Sequence, residues 1–405
     1  MKTSSNLAFH HLIPTEIVFG PGCLRELGPR CQNLGRKALL VTGRHFARAA
    51  GVLDDALAQL PGAIVFDEVV ENPTDGICDR AGLICRQEGC DFVVGIGGGS
   101  AMDVAKAAAG LARNPGPCRQ YFGSEKFEQE VLPIVAVPTT AGTGSEVTPY
   151  SVVVDSAERV KRTLTARGLF PAVALLDPNL SLTMPRHVTV STGLDALSQA
   201  MEGVVSRRCT PLCDLLALEA CRIIAQWLPR AVEDGAAHRR VASTARVAST
   251  DNIEARSWML YASMLAGCVI AHTGTTLVHG MGYYFTLEYG LPHGLANGLL
   301  LAPSFEFTAR YRPDKVAAIA TALGADATAA PNEVGATIGR AIHAFLARIG
   351  VSPAAKDAGV GSDRLAEFAA QLIADPYRYR NQVGDVTEKD VLRFFQQAHS
   401  GALGL

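Results

Sequence analysis

The stretch FVVGIGGGSAMDVAKAAAG, residues 92–110, decides the fold. It opens on an unbroken apolar run, passes through three consecutive glycines and a serine, and continues into an alanine-rich segment. An apolar run of this kind feeding a helix reads as a strand buried on both faces. Gly97, Gly98 and Gly99 permit a sharp turn and a close approach of a ligand to the backbone, and Ser100 is placed to cap a helix beginning near Ala101. The amide-rich start of such a helix attracts phosphate oxygens. The pattern is neither GxGxxG nor a P-loop, because no Lys-Ser/Thr pair follows. The plain alternative is a tight strand–helix turn without a ligand.

The same texture extends to either side. EIVFG (16–20), ALLVTG (38–43), AIVFD (63–67) and IVAVPTT (134–140) are continuous apolar runs bounded by Gly, Pro or Asp, while GVLDDALAQL (51–60) and DRAGLICRQEG (79–89) carry helical spacing. YSVVVD (150–155) and AVALLD (172–177) are two further strand candidates. Strands of this type alternating with helices imply a mostly parallel sheet. A second loop, PTTAGTGSEVT (138–148), follows its own strand and is rich in hydroxyls and glycines. Two such loops at strand C-termini would flank one crevice, where open α/β sheets bind nucleotides. After about residue 185 long Ala- and Leu-rich helical stretches take over. The expected class is therefore α/β plus all-α: a nucleotide-binding parallel-sheet α/β domain over 1–185 and an all-helical domain over 186–405. DPNLSLTMPRH (177–187) is the plausible connection.

Bulk properties narrow the class. The 405 residues are 48% hydrophobic and 19% charged with a formal charge of −2 and no run of Lys or Arg, so neither nucleic acid nor a membrane surface is an expected partner. No apolar stretch has the length of a membrane span, and MKTSSNLAFHHLIP lacks the features of a secretion signal. Ten cysteines without CxxC pairs point to a reduced, cytoplasmic protein. Cys209 and Cys213 lie four apart, with no further Cys or His close in sequence to complete a zinc site.

Two segments of the second half carry chemistry. LDALSQAMEG (194–203) sets Asp195 one helical turn before Gln199, on one face. LVHGMGYYFTLEYGLPHGLANG (277–298) carries His279 with Tyr283 one turn later, and His293 in a Pro-His-Gly loop opening the next helix. Neutral imidazoles are common ligands of divalent transition metals, although a lone helical His is more often a satisfied core residue.

With these segments in hand the chain resembles the iron-containing (group III) alcohol dehydrogenases, related in fold to glycerol dehydrogenase and dehydroquinate synthase. ENPT (71–74), 90–110, 138–153, LLDPNLSLTMP (175–185), STGLDALSQAMEG (191–203) and 277–303 follow the family's order and approximate spacing. The resemblance implies that the N-terminal domain is a Rossmann-like dinucleotide-binding domain with the active site in the cleft between it and the helical domain, and that the reaction is reversible hydride transfer between a small alcohol or aldehyde and a nicotinamide dinucleotide. It implies that Gly98, Gly99 and Ser100 cradle the pyrophosphate with Asp103 supporting that loop, and that Thr139, Thr140 and Ser145 line the phosphate–nicotinamide stretch. Asn72 of ENPT joins the cofactor-binding set, Lys161 falls near the nicotinamide ribose, and Leu180 packs by the cofactor. A metal, Fe²⁺ or Zn²⁺, would be held by Asp195, Gln199, His279 and His293, polarising the substrate oxygen. Members of the family often form dimers or larger oligomers.

The chain departs from the family pattern at three places. The family usually has histidine at Gln199, and glutamine offers only a neutral carbonyl, a weaker donor to these metals. Gln199 is then a weak fourth ligand, a hydrogen-bonder to a three-ligand metal, or the mark of a metal given up; the expectation is a metal retained but held less tightly. Many members carry histidine at Tyr283, where a phenol either relays a proton or only packs. After ALLVT the family's NAD-preferring members often carry an aspartate, whereas this chain has Gly43 and Arg44. Loss of a carboxylate admits a 2′-phosphate and a guanidinium can bind it, so NADP(H) is expected over NAD(H). The competing function is a metal-independent, maleylacetate-reductase-like reductase of an anionic substrate, with Arg162 and Arg167 replacing the metal. A dehydroquinate-synthase-like lyase and a nucleotide binder without catalysis are the remaining alternatives. An aldehyde carrying an anionic group, such as phosphonoacetaldehyde, is compatible with the sequence.

Overall fold

The computed structural model describes residues 8–237, 250–326 and 330–404. Six parallel strands form the main sheet: β1 (Glu16–Phe19), β2 (Ala38–Gly43), β3 (Ile64–Val69), β4 (Phe92–Gly97), β6 (Ile134–Pro138) and β9 (Val173–Leu176). Across the sheet they run β1-β9-β6-β4-β2-β3, every neighbour parallel. Alternate side chains of these apolar strands feed two separate cores. On β2, Leu39 and Val41 enter one and Ala38 and Leu40 the other; on β4, Val93 opposes Val94 and Ile96. A sheet covered on both faces explains why the strands read as continuous apolar runs rather than alternating ones.

The chain moves outward from β2 to β3, then returns to place β4 on the other side of β2. That reversal opens a crevice beyond the C-terminal ends of β2 and β4, where doubly wound sheets take ligands. A smaller sheet of β5 (Gly123–Ser124), β7 (Tyr150–Asp155) and β8 (Val160–Thr165) is built on the antiparallel β7–β8 hairpin. β7 is the YSVVVD candidate, which thus lies outside the main sheet.

From Arg186 the described chain holds helices and 3₁₀ turns around one large core, which Ala141, Val147, Ala174 and Leu176 of the sheet half also enter. Three of the helices position the site: Arg186–Val205, Leu277–Tyr289 and His293–Thr308. Among the described residues no single helix is long and apolar enough to cross a membrane.

Candidate active site between the sheet and the helices

The first glycine loop forms the turn from β4 into the helix Gly99–Arg113. Gly97 sits at φ +151°, and a Cβ there would lie 2.7 Å from that of Ala101, so the tight turn requires glycine. The N-cap is Gly98, in extended conformation and without a side-chain cap. Ser100 therefore lies inside the first turn rather than at the cap, a correction to the sequence reading. The turn tightens by one residue because Gly98 supplies the carbonyl that accepts from both Ala101 and Met102. The Gly99 and Ser100 amides precede these bonds, at the end of the helix that adjoins the C-terminal end of β4.

The second loop packs directly on the first. The Thr139 amide donates to Gly97 O at 2.9 Å, and Thr140 and Thr143 close over Gly98 and Gly99. Beneath them lies a buried cluster absent from the sequence reading. Lys106 Nζ donates to the carbonyls of Ser145, Thr148 and Tyr150 at 2.6, 2.8 and 2.8 Å, and to Ser145 Oγ at 2.8 Å. Ser145 Oγ in turn donates to Asp103 Oδ1 at 3.1 Å. Asp103 thus braces the second loop, through Ser145. Burial pushes the Asp103 carboxyl up to about 6 against the pull of Lys106, and lowers the Lys106 ammonium to about 8. The available signal was a lysine inside an alanine run, one helical turn after Asp103.

The remaining cofactor candidates scatter along the same edge. Gly43 ends β2 and Arg44 is exposed just beyond it. Asn72 adopts φ +52°, and its turn runs beside β7 through the bond from the Val154 amide to Pro73 O at 2.8 Å. Val154 pairs with Lys161 across the hairpin. Leu180 is buried in the turn Pro178–Ser181.

Asp195, His279 and His293 come together from three helices, each offering one ligand atom within 4.8 Å of the others. Gly294 makes this possible: a Cβ there would fall 1.8 Å from Ser191 O, so any other residue would push His293 off the Asp195 helix. His279 Nδ1 donates to Glu202, which also accepts from the Thr276 amide and hydroxyl at 2.8 and 2.7 Å. A carboxylate behind Nδ1 fixes the tautomer and turns Nε2 toward the site. That Nε2 lies 3.5 Å from Asp195 Oδ1 and, though buried, has no hydrogen-bond partner. Asn297 Nδ2 donates to Asp195 Oδ1 at 3.1 Å and lies 3.3 Å from His293 Nε2.

Gln199 does not point a free amide into solvent. Its Nε2 donates to Asp195 Oδ2 at 3.2 Å, and its Oε1 is buried without a partner. Orphaned Nε2 and Oε1 atoms beside a carboxylate and a second imidazole are the donor set that Fe²⁺ or Zn²⁺ takes. The residues fit a divalent metal.

Charges around the triad are perturbed. Burial raises the Asp195 carboxyl, but the facing histidines and Asn297 outweigh it and hold it below its usual value. Burial and then Lys161 push His293 well down, whereas the pull of Glu202 and Asp195 overcomes burial at His279 and raises it to about 10. Lys161 falls to about 8 through burial, despite attraction from Asp195 and Asp103. Tyr283 stacks on His293 with centroids 5.1 Å apart and planes 9° from parallel, and burial pushes its phenol up to about 12. Arg162 and Arg167 are both exposed, Arg162 on the opposite face of β8 from Lys161, so neither replaces a metal.

A second cluster corrects the reading of Cys213. Folding brings His11 and His272 to it, although both are remote in sequence. The two rings stack at 3.8 Å and 9°. His272 Nε2 accepts from the Leu12 amide at 2.8 Å and its Nδ1 lies 3.0 Å from Cys268 O. Both ring nitrogens of His272 are occupied while His11 Nδ1 is buried without a partner, and the stacked rings fasten the N-terminal segment to the helix Thr250–Thr273.

Known proteins share this arrangement of sheet, helices and chain order. The chain is 35% identical over 401 residues to a 1,3-propanediol dehydrogenase of Citrobacter freundii, covering 96% of this chain and 98% of that one. It is 34% identical over 316 residues to an NAD-dependent methanol dehydrogenase of Bacillus methanolicus, covering 77% and 79%. The crystal structure of a 1,3-propanediol oxidoreductase superposes with a TM-score of 0.88 at 33% identity, covering 96% of this chain and all of that one. The family described as iron-containing alcohol dehydrogenase matches residues 14–178, and its C-terminal part matches residues 189–399. On this footing the chain belongs to the iron-containing alcohol dehydrogenase family.

Proposed function

We propose that the protein is an NAD(P)-dependent alcohol dehydrogenase, working also as an aldehyde reductase, that transfers hydride between a small alcohol or aldehyde and the nicotinamide. The observation that carries this reading is geometric: Lys161, on β8, lies 5.2 Å from the Tyr283 ring centroid, and that ring stacks on His293 of the Asp195–His279–His293 cluster. A dinucleotide whose pyrophosphate lies on Gly98, Gly99 and Ser100 would run past Thr139, Thr140 and Ser145 toward that lysine. Asp195, His279 and His293 would hold the metal, with Gln199 bracing Asp195. When bound, the metal supplies Lewis-acid polarisation of the substrate oxygen. Glu202 keeps the proton on His279 Nδ1, and Asn297 orients Asp195. The Tyr283 hydroxyl, which makes no hydrogen bond to a described residue, is the candidate to pass a proton to the substrate oxygen on reduction. The ten free thiols fit a cytoplasmic enzyme.

NADP(H) is the preferred cofactor in this reading. Its support is local: Gly43 offers no carboxylate at the end of β2, and the Arg44 side chain is exposed and follows it directly. Oxidation of NADPH and NADH with a panel of short aldehydes, before and after chelation and metal reloading, tests all of this. Turnover that prefers NADPH and disappears with the metal is the expected result. Absence of turnover across the panel overturns the dehydrogenase, equal rates in demonstrably metal-free protein overturn the metal, and an NADH preference overturns the reading of Arg44.

A further inference from the structure

Two cations converge on one aromatic ring beside the histidine site. Lys161 Nζ, from β8, lies 5.2 Å from the Tyr283 ring centroid. Arg378 Cζ, from the turn Pro376–Tyr379, lies 5.7 Å from the same centroid and 6.0 Å from that of Tyr284. Tyr283 itself stacks on His293, so both cations stand one ring away from the triad. Arg378 is held there by its backbone. Gly280, next to His279, lets Arg378 O approach to 3.1 Å of where a Cβ would be.

Neither cation is fully used by the protein. The Arg378 side chain is 13% exposed, and its one hydrogen bond among the described residues runs from Nε to Asp375 Oδ2 at 3.1 Å. Both terminal nitrogens of the guanidinium fork are left over. Lys161 has no ion pair or hydrogen bond among the described residues. A planar guanidinium fork whose terminal nitrogens are not spent on the protein matches a carboxylate or phosphonate, and an ammonium on the same ring adds to its attraction for an anion.

We propose that Arg378, with Lys161 across the Tyr283 ring, forms an anion subsite, and that the substrate is a short aldehyde or alcohol bearing an oxyanion at the end remote from the reacting carbon. This rests on the dehydrogenase reading above and names its substrate class. Arg378 is the discriminating residue, because Lys161 also borders the path expected for the cofactor.

The test compares succinate semialdehyde and 3-oxopropylphosphonate with butanal, using the metal- and cofactor-loaded enzyme. The anionic aldehydes are expected to lead butanal by about tenfold or more in kcat/KM. Arg378→Met should cut that ratio by about tenfold, mainly through KM, and Arg378→Lys should retain part of it. The proposal is overturned if butanal is used as well as the anions, or if Arg378→Met leaves the ratio unchanged. Calorimetric binding of butanoate and propylphosphonate against butanol to the cofactor-loaded protein decides the subsite without turnover. Preference for the anions that Arg378→Met abolishes supports it, and no preference overturns it. Failure of every aldehyde to react would instead remove the dehydrogenase reading while leaving this binding result to stand.

Discussion

Gln199 concentrates what one residue can change in an inherited site. A histidine at this position would present a nitrogen; the amide instead spends its NH₂ on Asp195 Oδ2 and leaves a carbonyl without a partner. It thereby fixes the rotation of the Asp195 carboxylate while contributing at best a weak donor. Gln199→His should convert a three-ligand grip into a four-ligand one and slow loss of Fe²⁺ or Zn²⁺ to a chelator by about 10–100-fold, the scale on which such support tunes metal affinity. Metal content after timed dialysis measures it, and equal loss from both proteins would show that position 199 takes no part in holding the ion. Asp195, Gln199, His279 and His293 were legible as single letters with family spacing. Glu202 and Asn297 were not, because their partners lie 77 and 102 residues away. A helical-face reading had the signal for both: Glu202 follows Asp195 by two turns, and Asn297 follows His293 by one.

At the level of elements, the two glycine loops were readable because their constraint is local. A turn at φ +151° admits little but glycine, and the residues announce it. What braces the second loop was hidden, since Lys106 acts through bonds to Ser145, Thr148 and Tyr150 that no sequence period reveals. β8 was missed for a related reason: VKRTLT has apolar residues only at Val160 and Leu164, lies in a hairpin and is no buried apolar run. The loop also carries a titration. Glu146 is fully buried beside Ser145, its Oε1 has no partner, and burial pushes its carboxyl from 4.5 up to about 7. A carboxyl raised on folding contributes stability that is fully present below the unfolded value and is lost as pH rises through the folded one. Wild type should therefore weaken relative to Glu146→Gln between 4.5 and about 7 and run parallel to it above. At about 1.4 kcal/mol per pH unit the gap is on the order of 3 kcal/mol. Urea midpoints at about pH 5 and about pH 8 check the sign. A wild-type protein that gains on the variant over that interval would mean that Glu146 ionises normally in the fold.

For the whole molecule, the change of texture after residue 185 conveyed two architectures, because a doubly covered sheet and a helical core demand different periodicities. It conveyed nothing about how they meet. Beside the shared apolar core, one point of that contact has glycine on both sides. Gly144, at φ +60° in the second glycine loop, faces Gly267 on the helix Thr250–Thr273; a Cβ on Gly267 would fall 2.7 Å from both Gly144 Cα and Gly144 O and 2.8 Å from Val147 Cγ2. Backbone meets backbone there, so no side chain can move aside. The loop that touches the helices is also the loop proposed to line the phosphates, which couples the seating of the helical part to the shape of the nucleotide crevice. Gly267→Ala should push loop and helix apart. The overpacking cost is about 1–3 kcal/mol, read as a lower unfolding midpoint, and the displaced loop should raise the KM for nicotinamide cofactor severalfold. Alanine favours a helix over glycine by about 1 kcal/mol, so an isolated helix would gain from the change. A variant that is as stable as wild type and binds cofactor equally well would therefore mean that the two parts yield to each other at this contact, and that the crevice is shaped by the sheet alone.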